Sequence, residues 1–212
     1  MRVPRPNLPH RCLAVFLITA AWPAGAVAQQ AEIGAYHQSR FTKQGGKSTV
    51  LSYDYLQGDA YLTETVGIWG FLYHESNYFS GVAGLSVDLS DWLTVGLGAG
   101  PERMRDSLTR KTRTNSRWAV TAWLGSDQFH VEGNYEGGGS RQSWYQMDAM
   151  WQPTLRLGLG VLWQDSAGVG PRVVVRPFKD VPLELWAAPV MYDFASSHSN
   201  AMAGVQFVLR KQ

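Results

Sequence analysis

The chain has 212 residues, 19 Lys and Arg against 17 Asp and Glu, a formal charge of +2, and one cysteine. A near-neutral balance with only 17% charged residues argues against a nucleic-acid binder, and a lone cysteine excludes a disulfide framework and a thiolate metal site. Past the N-terminal segment nothing approaches the roughly 18 consecutive apolar residues of a membrane-spanning helix, although aromatic residues make up 12% of the chain and glycine is abundant.

Residues 1–28 differ from the rest. Arg2, Arg5 and Arg11 make a basic start, Cys12 to Ala21 is a short apolar run, and Ala26-Val27-Ala28 is a small-x-small cleavage signal. This three-part layout predicts a secretory signal peptide over 1–28 and a single domain over 29–212. The only cysteine and three arginines fall within the signal, so the remainder carries a charge of −1 and eight of the nine tryptophans.

From there the hydrophobic pattern has period two, the mark of strands with two unlike faces. Segments are expected near 31–41, 48–57, 61–74, 81–89, 92–101, 116–125, 128–137, 142–151, 154–164, 171–178, 183–194 and 201–210, twelve in all, with ten the alternative if one pair is misread. Leu93, Val95, Leu97 and Ala99 share one face, and Leu155, Leu157, Leu159, Val161 and Trp163 another. Short connections are predicted at Gly58-Asp59, Ser90-Asp91, Ser126-Asp127, Gln152-Pro153 and 179–182. Longer ones are predicted at 42–47, 102–115, 137–141 and 193–200. Pro189 cannot donate to a ladder, so a bulge is expected there.

Short turns alternating with longer loops, tyrosines and tryptophans near strand ends, and a polar second face together predict an all-β, antiparallel transmembrane β-barrel. The expected location is a bacterial outer membrane. The last segment, Met202-Ala203-Gly204-Val205-Gln206-Phe207-Val208-Leu209, resembles the closing-strand signal of outer-membrane barrels, though the chain ends Arg210-Lys211-Gln212 instead of on an aromatic. The layout of the whole is similar to twelve-stranded channels for acidic oligosaccharides and to small barrels linked to exopolysaccharide export. That resemblance implies a passive channel or export conduit for small polar or saccharide solutes, assembled by barrel-assembly machinery that reads the closing strand. The alternative within the same architecture is a structural envelope barrel without transport.

Three groups of residues are candidates for function. His130, Glu132, Asn134, Glu136, Asp148, Arg156, Arg172, Arg176 and Glu184 fall on the polar face and are expected to line the lumen, with Asp148 opposing Arg156 across a tight Gln152-Pro153 turn. Arg103, Arg105, Arg110, Lys111, Arg113 and Arg117 are expected on one external loop facing lipopolysaccharide phosphates, for which guanidinium forks are suited. His74-Glu75-Ser76-Asn77 resembles the active-site string of two outer-membrane lipid hydrolases, phospholipase A and the lipid A deacylase. Residues two apart on a strand share a face, so His74 can serve Ser76 as a base on the lipid side, beside Leu72, Ile68 and Val66. No third group to orient the imidazole stands on the following strand, which leaves the hydrolase as the alternative reading. No cofactor or metal-ligand spacing is found, and no nucleic-acid partner is expected.

Overall fold

The computed structural model describes residues 31–44, 47–106, 108–140, 143–194 and 198–211; the expected secretion signal lies outside them. Twelve strands follow in order among the described residues: β1 (Ala31–Gln44), β2 (Lys47–Tyr61), β3 (Val66–Glu75), β4 (Tyr78–Ser90), β5 (Leu93–Arg105), β6 (Thr112–Gly125), β7 (Phe129–Gly138), β8 (Trp144–Thr154), β9 (Leu157–Gln164), β10 (Gly168–Val175), β11 (Leu183–Asp193) and β12 (His198–Lys211). Each pairs antiparallel with its neighbours, and β1 pairs with β12 from Ala31↔Lys211 to Thr42↔Asn200, so the sheet closes. The expected twelve-stranded barrel is the fold.

Strand tilt can be followed through hydrogen-bonded partners. Ile33, near the start of β1, leads through Gly58, Gly70, Ala83 and Ala99 to Trp118 in the middle of β6. A row perpendicular to the strands therefore climbs along the barrel axis, as closure with a fixed stagger requires.

Burial is inverted relative to a water-soluble domain. Leu97 is 65% exposed on the outside, whereas Glu102 is 0% and Arg117 2% exposed on the inside. The outward residues are Leu85, Val87, Leu97, Val120, Phe129, Met147, Trp151, Leu159, Val161, Trp163, Val173, Leu185 and Phe207, among others. They form an apolar band around a sheet with no free edge, which is the arrangement lipid demands of a spanning β-structure. Large rings lie over glycines on both faces: inside, a Cβ at Gly204 would meet the Trp186 indole, its cross-strand partner, and outside, one at Gly137 would meet Trp118. Glycine thus makes room for aromatic side chains to lie flat on the wall.

The turns depart from expectation in an instructive way. Gly58 and Asp59 lie within β2, and the chain reverses at 62–65, where the Thr63 hydroxyl accepts from the amides of Val66 (3.0 Å) and Thr65 (3.3 Å). Gln152 and Pro153 lie within β8, and the reversal comes at Leu155-Arg156, where the Thr154 hydroxyl accepts from Leu157 (3.1 Å) and Arg156 (3.2 Å). Hydroxyl-capped turns, not Gly-Asp or Gln-Pro dipeptides, end these strands. The expected long loops at 42–47 and 102–115 are mostly strand: the hairpins of β1–β2 and β5–β6 carry on past the apolar band. Around Pro189 the register shifts between Ala188 and Met191, the expected bulge.

If this band contacts lipid, Leu97→Arg, near mid-height opposite Leu85, will destabilise the barrel by about 2–4 kcal/mol, read by urea unfolding in phospholipid vesicles. An unchanged midpoint would reject the lipid-facing assignment, since an exposed leucine in water tolerates this change.

Candidate functional site

The lumen is lined by the inward-facing residues of all twelve strands, and its charged groups are tied together by a few arginines. Arg117 on β6 has glycine as its cross-strand partner on both sides, Gly100 on β5 and Gly138 on β7. With no side chain opposite, its guanidinium reaches the diagonal carboxylates: Nε donates to Glu136 Oε2 at 2.6 Å and Nη1 to Glu102 Oε2 at 3.2 Å. Glu102 also accepts from the Tyr78 hydroxyl (2.9 Å), from Asn115 (3.2 Å) and from the Ser140 amide. Arg172 on β10 likewise faces Gly160 on β9, and it extends over that strand to pair with Asp148 on β8 while stacking 4.6 Å from the Trp186 ring. Nearer the end where the termini lie, Arg176, just after β10, donates to Glu184 (2.8 Å) and Gln152 (3.1 Å), and Gln206 donates to Glu184 (2.7 Å). Each cation is thereby matched to a carboxylate in geometry where the pair is shielded from bulk water.

An aromatic wall complements these ion pairs. Tyr36, Tyr55, Phe71 and Trp69 follow one another across β1, β2 and β3 at centroid separations of 5.5, 5.4 and 6.2 Å. Above them Tyr53, Tyr73 and Tyr78 make a second run at 5.3 and 5.8 Å. Contacts also cross the lumen. Gln164 on β9 donates to the Tyr53 hydroxyl on β2 at 3.1 Å, and Arg40 on β1 donates to the carbonyl (3.0 Å) and hydroxyl (2.7 Å) of Ser166 in the β9–β10 turn. Around this crossing Met150, Leu162, Val174, Trp186, Met191 and Met202 pack with Tyr53 into a buried apolar cluster. The lumen is therefore constricted, with walls that touch.

Of the residues expected in the lumen, His130, Glu132, Asn134 and Glu136 lie on the inward face of β7, Asp148 on β8, Arg172 on β10 and Glu184 on β11, with Arg176 just beyond β10. His130 stacks on Trp123 at 6.1 Å. Arg156 is a correction: it is exposed in the β8–β9 turn, and Asp148 opposes Leu162 instead, because the turn comes later than Gln152-Pro153. The expected basic loop also divides. Arg103 and Arg105 are exposed on β5; Arg110 and Lys111 sit in a tight hairpin; Arg113 is on β6; Arg117 belongs to the buried lumen network. That hairpin is ordered by Asp106, whose carboxylate accepts from the amides of Thr109 (2.7 Å) and Leu108 (2.8 Å), bonds that hold its pKa below the ordinary value. Arg110 adopts φ 56° within it. His74 is exposed on the outer face of β3 in register with Asp54, and Ser76 is exposed in the turn between β3 and β4. Glu102, Tyr53, Gln164 and Arg40 were not anticipated as site residues, and Arg117 was expected on the external loop and not in the lumen. The signal that marks Arg117 and Arg172 is an inward arginine aligned with glycines on adjoining strands.

No family model matches the chain, and no curated protein matches it. Among solved structures the chain is similar to a KdgM porin in complex with disordered oligogalacturonate, at 12% identity over 83% of this chain and 98% of that one, with a TM-score of 0.49. It is also similar to the toluene transporter TbuX of Ralstonia pickettii, at 7% identity, 86% and 89% coverage and a TM-score of 0.43. A third is the translocator domain of the autotransporter NalP from Neisseria meningitidis, at 14% identity, 84% and 87% coverage and a TM-score of 0.34. Function is accordingly read from the barrel's own residues.

Arg117→Met leaves Glu102 and Glu136 buried without their cation, and we expect it to destabilise the barrel by about 3–5 kcal/mol. Adding Glu102→Gln and Glu136→Gln should recover most of that loss in the same urea titration. Equal instability of the single and triple variants would show that the network contributes through packing alone.

Proposed function

We propose that this protein is a passive conduit for small polar solutes, saccharides among them, across a bacterial outer membrane, and that its lumen is nearly closed at rest. The observation that carries the reading is a set of buried polar atoms with no protein partner: Arg40 Nε, Asp148 Oδ1, Gln164 Oε1 and Arg172 Nε, all on the lumen side. A side-chain-filled plug would satisfy such groups, because each buried unpaired polar atom costs about 1–3 kcal/mol. Groups enclosed without partners gain them only when the packing around them parts, which suits a lumen that opens to admit water and solute.

The chemistry of the walls supports the solute class. Sugar rings present C–H faces and hydroxyl edges, and a run of aromatic faces on β1–β3 beside carboxylates and guanidinium groups on β7–β10 offers partners for both. The crossing formed by Tyr53 with Gln164 and Arg40 with Ser166 joins opposite walls, and passage requires those two contacts to part. At the outer rim, Arg103, Arg105, Arg110, Lys111 and Arg113 would meet lipopolysaccharide phosphates, for which guanidinium forks are suited. The closing strand β12 is the segment that assembly machinery would read.

In planar lipid bilayers the wild-type protein should give small, ohmic single-channel currents. Tyr53→Ala combined with Gln164→Ala should raise the conductance several-fold and speed the uptake of neutral oligosaccharides into proteoliposomes. If neither form conducts, the barrel is a structural element of the envelope and the conduit reading fails.

A further inference from the structure

Among the described residues the apolar outer band is interrupted at one place. On β1, β2 and β3 the outward positions include two polar rows. The first is His37, Asp54 and His74, aligned through the registers His37↔Asp54 and Asp54↔His74. The second, two residues farther from the termini, is Ser39 opposite Ser52. β1 and β2 thus each carry a pair on one face, His37 with Ser39 and Asp54 with Ser52, whereas β3 contributes His74 alone and Ser76 lies in the β3–β4 turn. The rows lie inside the band. Ile33, Leu56 and Leu72 are below them, and Phe41 and Val50, 45% and 59% exposed, are above. At about 3.3 Å per residue and a tilt near 40°, the six residues from Ile33 to Ser39 climb roughly 15 Å of a band about 25 Å tall. With the termini on the periplasmic side, the serines stand in its outer half, one alternate position (roughly 5 Å) below Phe41 and Val50, the last apolar pair on these two strands before Lys43 and Ser48.

Polar and ionisable side chains facing lipid are costly, and they mark function by default. These are also organised. Asp54 Oδ1 accepts from His37 Nδ1 at 2.8 Å, and the Oγ atoms of Ser39 and Ser52 are 2.7 Å apart. A carboxylate on Nδ1 fixes the tautomer with the proton there and leaves Nε2 as a base. Ser39 follows His37 on the same face, with Cβ atoms roughly 7 Å apart, a gap that an imidazole and a hydroxyl together can close. A hydrogen bond donated by Ser52 to Ser39 Oγ leaves the Ser39 proton free to go to that base.

We propose that Ser39, His37 and Asp54 form a lipid-facing hydrolytic site for acyl esters of the outer leaflet, distinct from the lumen and independent of any transport. Ser39 Oγ attacks the ester carbonyl while its proton passes to His37 Nε2. The carbon–oxygen bond of the ester breaks, and the alcohol leaves with that proton. Water then attacks acyl-Ser39, giving its proton to His37 and its oxygen to the acyl group. Fatty acid departs and Ser39 is restored. Ester and water become acid and alcohol, with no other reactant. The third group that His74 and Ser76 lack on the following strand is found by His37 on β2, which moves the candidate chemistry from β3 to β1.

The experiment uses the purified full-length barrel, with folding checked by its heat-dependent gel mobility. It is incubated with phosphatidylethanolamine vesicles in one arm and purified lipopolysaccharide in the other, and released fatty acid is measured. A fluorophosphonate probe with peptide mapping identifies the nucleophile. We expect turnover in at least one arm, which names the lipid class, and covalent labelling of Ser39. Ser39→Ala and His37→Ala should lower turnover at least a hundredfold and Asp54→Asn at least tenfold, while His74→Ala and Ser76→Ala change it less than twofold. No turnover in either arm with no labelling overturns the proposal. So does labelling of Ser76, or cross-linking that places a second copy of the chain over β1–β3, for then the polar rows serve a subunit interface.

Discussion

Backbone amides and carbonyls have no water to bond in a bilayer, and every other feature of this protein follows from satisfying them within the chain. Closure through β1 and β12 pairs the last two edges. Closure also imposes strict sidedness, since side chains alternate and a one-residue slip would turn a whole strand inside out. Leucines, valines and aromatics then go outward, and the interior receives what lipid rejects. The resulting barrel is held by its ladder more than by an apolar core. Its two interior apolar clusters are small and are built largely of aromatic and methionine side chains that fill irregular space.

The interior must reconcile charge with confinement. A carboxylate inside the wall is stabilised when a cation reaches it, and Arg117 and Arg172 reach because glycine stands opposite them. Gly100 and Gly138 let Arg117 extend to two carboxylates on different strands, and Gly160 lets Arg172 cross β9 to Asp148. The glycines of the polar face are thus as much part of the electrostatics as the charges. This also explains why buried polar atoms remain unpaired on the same residues. Arg172 and Asp148 bond each other through one atom apiece and leave Nε and Oδ1 open, so the network closes its charge balance before its hydrogen-bond balance.

Period-two alternation made the strands and their sidedness legible, because the two faces meet solvents of opposite kind. Turn positions were less so. Gly58-Asp59 and Gln152-Pro153 carry the residues that commonly reverse a chain, yet the reversals fall where Thr63 and Thr154 can cap exposed amides. Local turn preference is worth little against the requirement that strands be long enough to cross. That shift removed Arg156 from the lumen. The split of the arginine run has the same origin: strands that outlast the apolar band turned an expected loop into β5 and β6, and period two then sent Arg117 inward and Arg103 outward. Partner identity was beyond reach, since diagonal and cross-barrel pairs such as Tyr53 with Gln164 depend on stagger, which no single segment encodes.

Sidedness finally ties the two candidate sites to each other. On β2, Tyr53 and Tyr55 face the lumen while Ser52 and Asp54 face the lipid, so four consecutive residues serve two compartments. On β1, Arg40 reaches Ser166 inside while His37 and Ser39 stand outside. The register of β1 against β2 therefore sets both the constriction and the outer polar rows. A change that slides β1 along β2 by two residues keeps every face correct yet separates His37 from Asp54, Ser39 from Ser52, and Arg40 from its partner turn. Two-residue steps are the slips that hydrophobic sidedness cannot police. What holds the register against them is the set of specific contacts on both faces, so the same pairs that give each site its chemistry also keep the first hairpin in place.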